Sequence, residues 1–217
     1  LSSTGLSNKW MRNNLCQAES AVAAITGEDA YDIMGRAAAL SKPGSSGVLF
    51  LPYLDGDYTP NNDPIARAAW VGIGTANTKN DLLRATLEGV AFSILDNIEL
   101  IRELGGNLDE IVLAGGIAKS NLWLQIIADV TGCVISLPEE TEGAAFGGAL
   151  VAGIGTGIYP DVESAIQQTV FIRRDVCKPD AGNHALYMEM YAIYKGLYPA
   201  LKDTFARLAE LREKQNA

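Results

Sequence analysis

Apolar residues recur at helical spacing along much of this chain, and glycines mark the breaks between the runs. Between residues 6 and 40, Trp10, Met11 and Leu15, then Ala21, Val22 and Ile25, mark one helix face. Gly27-Glu-Asp29 interrupts the run and residues 31–40 resume it. The clearest element spans residues 78–104, where Leu82, Leu83, Leu87, Val90, Ile94, Ile98 and Ile101 form one apolar face. Thr78 offers its N-cap, Asp81 a first-turn acid, and Gly105-Gly106 its end. A last long helix is expected over 182–211, with Pro199 a candidate break and residues 212–217 a frayed tail.

Shorter apolar runs bounded by turn residues predict strands. These are 48–53, 68–73, 110–113, 133–137 and, less regularly, 169–172. Helices are expected over 120–130 and, in small residues, over 143–152. Strands and helices alternate over 108–160, which predicts an α/β domain. Pro43-Gly-Ser-Ser-Gly47 reads as a turn cluster, and residues 54–65 as a polar loop.

The 217 residues are 48% hydrophobic and 20% charged, an ordinary globular balance that argues against disorder. A net charge of -9 disfavours nucleic acid or an anionic membrane as the main partner. No apolar run is long enough to cross a bilayer. Cys16, Cys133 and Cys177 are widely spaced and odd in number, with no metal-ligand spacing, so reduced thiols in a cytoplasmic protein are expected. The chain opens at Leu1 without a methionine, which reads as a piece of a longer protein.

The strongest chemical signal is Ile111-Val-Leu-Ala-Gly-Gly-Ile-Ala-Lys-Ser-Asn-Leu-Trp-Leu-Gln125. A strand ends in paired glycines and a helix begins. Without Cβ atoms, Gly115 and Gly116 let backbone come close to a ligand, beside the free N–H groups of a helix start. Nucleotide or phosphate binding is one reading, and a plain strand-to-helix turn is the other.

Elsewhere the signals are weaker. Asp55, Asp57 and Thr59 alternate as in a calcium loop, but the twelfth position is Ala66 where a bidentate Glu is needed, so calcium is rejected. That loop is expected either to line a cleft or to be a solvated connection. Glu88, beside a helical glycine, reads as part of a close-packed helix crossing, as a ligand contact or, with Arg84 four residues before it, as a surface ion pair, the favoured reading. The run from Glu142 to Gly153 reads as a helix packed closely against neighbours. Gly153, Gly155 and Gly157 follow a helix rather than a strand, which argues against a dinucleotide oxidoreductase. The single His184 supports no nucleophilic triad.

Taken in order, these pieces resemble the C-terminal domain of the FGGY carbohydrate kinases, most closely the xylulokinase branch. The carrying residues are Gly5-Leu-Ser-Asn-Lys-Trp10, Leu51-Pro-Tyr-Leu-Asp-Gly-Asp-Tyr-Thr-Pro60 and Asp63-Pro-Ile-Ala-Arg67. They continue in Asp81-Leu-Leu-Arg-Ala-Thr-Leu-Glu-Gly-Val-Ala-Phe92, Ala114-Gly-Gly-Ile-Ala-Lys-Ser-Asn-Leu-Trp123 and 143–153. Asp57-Tyr58 stands where that branch commonly reads Glu-Arg, and Ala68 where Gly is usual.

The resemblance implies an actin-like (ribonuclease H-like) ATPase domain, a mixed sheet flanked by helices, covering residues 1–217. It implies transfer of the γ-phosphoryl of MgATP to a sugar hydroxyl, xylulose first and gluconate, ribulose, glycerol or a related polyol as alternatives. A non-catalytic actin-like nucleotide-binding module is a further reading. By motif match, Gly116 would pack on adenosine, with Ser120 or Asn121 as a polar contact. Gly5 would lie near phosphates and ribose, and Lys9 at a variable contact position. The catalytic base, most Mg2+ ligands and the sugar-binding residues are expected before Leu1, so this chain alone is expected to bind nucleotide weakly at best and to catalyse nothing. An isolated domain exposing the surface that faces its missing half leaves a homodimer open.

Overall fold

The computed structural model describes residues 4–140 and 143–216. Three helices open the chain: α1 (Thr4–Leu15), α2 (Gln17–Thr26) and α3 (Ala30–Ala39). The break between α1 and α2 falls at buried Cys16, which no glycine announces. The second break is the expected one, with Gly27 in the left-handed region closing α2. Asp29 then caps α3, accepting from the Tyr31 N–H at 2.8 Å.

A short antiparallel pair follows, β1 (Leu49–Leu51) and β2 (Ala69–Val71), in the register Phe50 opposite Trp70. Helix α4 (Lys79–Glu103) starts at a reciprocal cap in which the Thr78 N–H donates to Asp81 Oδ2 at 2.7 Å. It is the central strut of the fold. It packs on β1, on α1 and α3, and on α5 (Asn121–Thr131). Burial runs almost all round it from Leu83 to Leu95, so the single apolar stripe expected from its leucines understates it.

The crossing with β1 is close. A Cβ built on Gly89 would lie 2.1 Å from the Phe50 carbonyl oxygen, so only glycine allows helix and strand to meet there.

The α/β half holds a mixed three-stranded sheet. β3 (Glu110–Val112) runs parallel to β4 (Val134–Pro138), and β5 (Ile172–Cys177) pairs antiparallel to β4. The last strand begins three residues later than expected, because residues up to Thr169 continue helix α7 (Val162–Thr169). Its Arg173-Arg174-Asp175 centre is exposed, and this polar run concealed the strand. Helix α8 (Ala181–Asn216) passes through Pro199 without ending and continues, exposed, through residues 212–215 of the stretch expected to fray. Its Tyr187, Tyr191 and Tyr194 pack around Phe92 of α4, at ring separations of 6.0, 6.1 and 5.2 Å.

Helix α6 (Gly143–Gly155) departs from expectation. Among the described residues it buries only Gly153, against the Tyr159 ring, while Val151 is 69% exposed. A Cβ on Gly147, Gly148 or Gly155 would meet nothing within 4 Å. Close neighbours among the described residues meet its glycines only at Gly143 and Gly153, and Glu142 at its start lies outside the described residues.

Candidate functional site

The strand-to-helix turn is built as the glycines suggest. After β3 the chain turns at Gly115, with φ of 78°, and winds through a 3-10 segment, Gly115–Lys119. Ser120 caps α5, its Oγ accepting from the Trp123 N–H at 3.3 Å. The Trp123 indole donates to the Leu87 carbonyl at 3.2 Å and locks α5 onto α4.

Above this joint lies an open cavity of about 510 Å³, the size of a small-molecule site. Gly5, Asn8 and Lys9 of α1 form one wall. Tyr31, Met34, Gly35 and Ala38, spaced as one face of α3, form a second, with Asp29 and Asp32 at its start. Gly116, Ile117, Lys119 and Ser120 form the third, and Leu83, Leu87 and Trp123 make an apolar floor. The first two walls are tied together by the Arg12 guanidinium, 5.0 Å over the Tyr31 ring.

Four of the five residues expected to hold nucleotide, Gly5, Lys9, Gly116 and Ser120, therefore share one cavity, although 107 residues separate Lys9 from Gly116. Asn121 does not line it and is exposed. A Cβ on Gly5, Gly35 or Gly116 would meet nothing within 4 Å, so these glycines border space rather than packed neighbours. Lys9 and Lys119 have no ion-pair partner among the described residues. The α3 wall was missed by sequence reasoning. Its signal, an apolar and glycine face at i, i+3, i+4 and i+7, is that of any packed helix.

The polar loop of residues 54–65 is not part of this cavity. Asp57 and Asp63 exchange two backbone hydrogen bonds across it, at 2.8 and 2.7 Å. Asp63 also accepts from the Tyr198 hydroxyl at 2.8 Å and from the N–H groups of Ile65 and Ala66. Burial would raise this carboxyl, but those hydrogen bonds outweigh it and hold Asp63 below the ordinary range. The loop is a clasp onto α8.

Arg84 and Glu88, expected on the surface, are both buried. Their neighbours come from distant segments that spacing along one helix cannot reveal.

Among the described residues no three His, Cys, Asp or Glu side chains converge as a metal site. The cavity's two carboxylates are Asp29, which caps α3, and Asp32, so the residues present here do not by themselves fit a magnesium ion. No described helix is long and apolar enough to cross a membrane.

Comparison with known proteins agrees with the motif order. Residues 1–156 match the model of the C-terminal domain of the FGGY family of carbohydrate kinases. The xylulose kinase of Staphylococcus epidermidis is 35% identical over 205 residues, covering 94% of this chain and 39% of the relative. The gluconokinase of Bacillus subtilis is 26% identical over 207 residues, covering 95% and 40%. Among solved structures, the xylulose kinase from Rhodospirillum rubrum superposes with a TM-score of 0.73 at 26% identity, over 93% of this chain and 39% of that one. The chain thus spans about two fifths of the length of the relatives it matches. It has their actin-like ATPase fold. With the family model matched across nearly three quarters of the chain, this protein belongs to the FGGY family of carbohydrate kinases, as a C-terminal domain.

Proposed function

We propose that this chain is the nucleotide-binding half of an ATP-dependent carbohydrate kinase, with D-xylulose as the acceptor sugar. The observation that carries the reading is the cavity bordered by Gly5, Gly35 and Gly116, with an apolar floor and two lysines that have no ion-pair partner among the described residues. An apolar floor suits a purine, open glycines allow ribose and phosphates to approach backbone, and ammonium groups suit phosphates. Support for xylulose comes from the relatives: 35% identity to a xylulose kinase against 26% to a gluconokinase. Gluconate, ribulose, glycerol or a related polyol is the alternative acceptor.

In this reading the chain's own residues bind and orient the nucleotide, and Leu83, Leu87 and Trp123 exclude water from its base. Bound magnesium would neutralise charge on the phosphates during transfer. Phosphoryl transfer needs positioning, metal and a base acting together. The base, most magnesium ligands and the sugar-binding residues are assigned to the part of the relatives this chain does not cover. The cytoplasm suits its three free cysteines.

Calorimetric titration of the 217-residue chain with ADP and MgATP tests the proposal. Saturable binding that a Gly116→Leu variant loses is expected, with no sugar-dependent ATP turnover. Absence of binding at millimolar nucleotide would overturn the nucleotide reading. Turnover by the isolated chain would overturn the claim that it is half of a site. A panel of sugars assayed on the protein joined to its N-terminal portion decides the acceptor.

A further inference from the structure

The charged side chains of the cavity stand at its edge: Lys9, Asp29, Asp32 and Lys119 are all exposed. Asn8 differs. It lines the same cavity and is half-buried. On α1 it sits between the buried side chains of Ser7 and Met11 and the face carrying Gly5, Lys9 and Arg12. Arg12, one turn on, meets the Tyr31 ring of α3, so this side of α1 faces α3 across the cavity.

The Asn8 carboxamide makes no hydrogen bond among the described residues, and neither of its polar atoms is sealed away from open space. Asn14 and Asn97, by contrast, donate back to the carbonyls of Trp10 and Ser93 at 2.9 and 2.8 Å. The floor gives Asn8 nothing to bond. Leu83, Leu87 and Trp123 are buried there, and the Trp123 indole N–H is already given to the Leu87 carbonyl. The Ser120 hydroxyl oxygen is engaged as the cap of α5. A side-chain amide holds a donor and an acceptor side by side. An apolar floor with such a group beside it is how a small-molecule site fixes the orientation of a flat ring.

Resting on the nucleotide reading above, we propose that Asn8 is a specificity-determining residue that hydrogen-bonds the edge of the nucleobase. The base lies on the apolar floor and against Gly116, and Asn8 reaches its edge from α1. The amide oxygen accepts from the exocyclic amine of adenine while the amide N–H donates to the neighbouring ring nitrogen. Gly5, one turn before Asn8, is left to the ribose and phosphates.

Calorimetry on the 217-residue chain measures Kd for ADP, for GDP and for purine riboside 5′-diphosphate, which lacks the exocyclic amine of ADP. The readouts are ratios of Kd within each protein. Wild type is expected to bind the purine riboside analogue about tenfold more weakly than ADP. Asn8→Leu, similar in size, is expected to bring that ratio close to one by weakening ADP more than the analogue. Asn8→Asp can only accept, and guanine presents two adjacent donors, its ring N–H and its amine. This variant is expected to shift preference about tenfold from ADP toward GDP. Thermal unfolding checks that each variant folds, and Asn8→Asp decides the question if Asn8→Leu does not. A purely structural role for Asn8 weakens all three ligands alike and leaves the ratios where they were. Ratios that neither variant shifts, or a wild-type ratio near one for the purine riboside analogue, would overturn the assignment while leaving the nucleotide reading intact. Failure of wild type to bind ADP would instead remove the nucleotide reading and the assignment together.

Discussion

Arg84 Nε and Glu88 Oε1 lie 2.8 Å apart on successive turns of α4, both side chains buried. Glu88 also accepts from the Gly44 N–H, the Ser45 hydroxyl and the Tyr187 hydroxyl, at 3.0, 2.7 and 2.7 Å. Arg84 donates onward to the Ser41 carbonyl and the Tyr187 hydroxyl, each at 3.1 Å. One ion pair thus ties α4 to the 41–45 turn and to α8.

Truncating one partner of such a pair strands a buried charge. Glu88→Ala is expected to cost about 3–5 kcal/mol. Glu28→Ala removes the exposed pair with Arg36 and is expected to cost about 0–1 kcal/mol. Urea unfolding midpoints of the two variants check the contrast. A Glu88→Ala loss as small as that of Glu28→Ala would show that the network carries little.

At Gly89 the sign of the effect is diagnostic. Helix propensity alone favours alanine over glycine by about 1 kcal/mol. The Phe50 carbonyl, 2.1 Å from where that Cβ would sit, opposes it. Gly89→Ala is therefore expected to destabilise by at least about 1–3 kcal/mol, as overpacking does, measured by thermal or urea unfolding. A stabilised variant would mean that α4 and β1 separate easily.

The glycine pair at the cavity divides stability from binding. Gly115 has a φ of 78°, so Gly115→Ala is expected to cost about 1–2 kcal/mol. Gly116 has open space where its Cβ would stand. Gly116→Leu is expected to change stability by no more than about 0.5 kcal/mol and to raise the Kd for ADP by about tenfold or more. Calorimetry alongside unfolding separates the two effects, and unchanged affinity in Gly116→Leu would remove Gly116 from the site.

Asp96 gives a pH signature. Burial pushes its carboxyl up to about 6, against the opposing hydrogen bond from the Tyr191 hydroxyl at 2.6 Å. Asp57 and Glu99 add repulsion, and Lys195 partly offsets it. The unfolded chain titrates this group near the ordinary aspartate value of 3.8. Folding therefore takes up a proton between those values, and the contribution of Asp96 is intact below about 4 and lost as pH rises through about 6. Asp96→Asn keeps an acceptor for Tyr191 and cannot ionise. Its stability relative to wild type is expected to improve from pH 4 to about 6.5 and then level off. Urea unfolding across that range measures the difference, and a difference independent of pH would place the Asp96 titration in the ordinary range.

Short-range features of this fold were legible in the chain. Gly27 in the left-handed region, the Thr78–Asp81 cap and the Gly115 turn each depend on residues within a few positions. Such geometry is set by local sterics and local hydrogen bonds, which spacing exposes. Residues separated by 107 positions, Lys9 and Gly116, could be brought together only through resemblance to a family. The strand carrying Arg173 and Arg174 was misplaced because its stability comes from pairing with β4, not from its own apolar residues.

By itself, then, the sequence determined where α4 and α5 begin and end, which turn could take a ligand, and which family the motif order belongs to. Those depend on backbone freedom and side-chain type within one or two turns. Tertiary structure alone decided that Arg84 and Glu88 are interior, that α3 walls the cavity, and that α6 buries only Gly153 among its described residues. Burial and partnership are properties of what a distant segment places opposite a residue. Glu88 is buried because Tyr187, 99 positions away, folds over it.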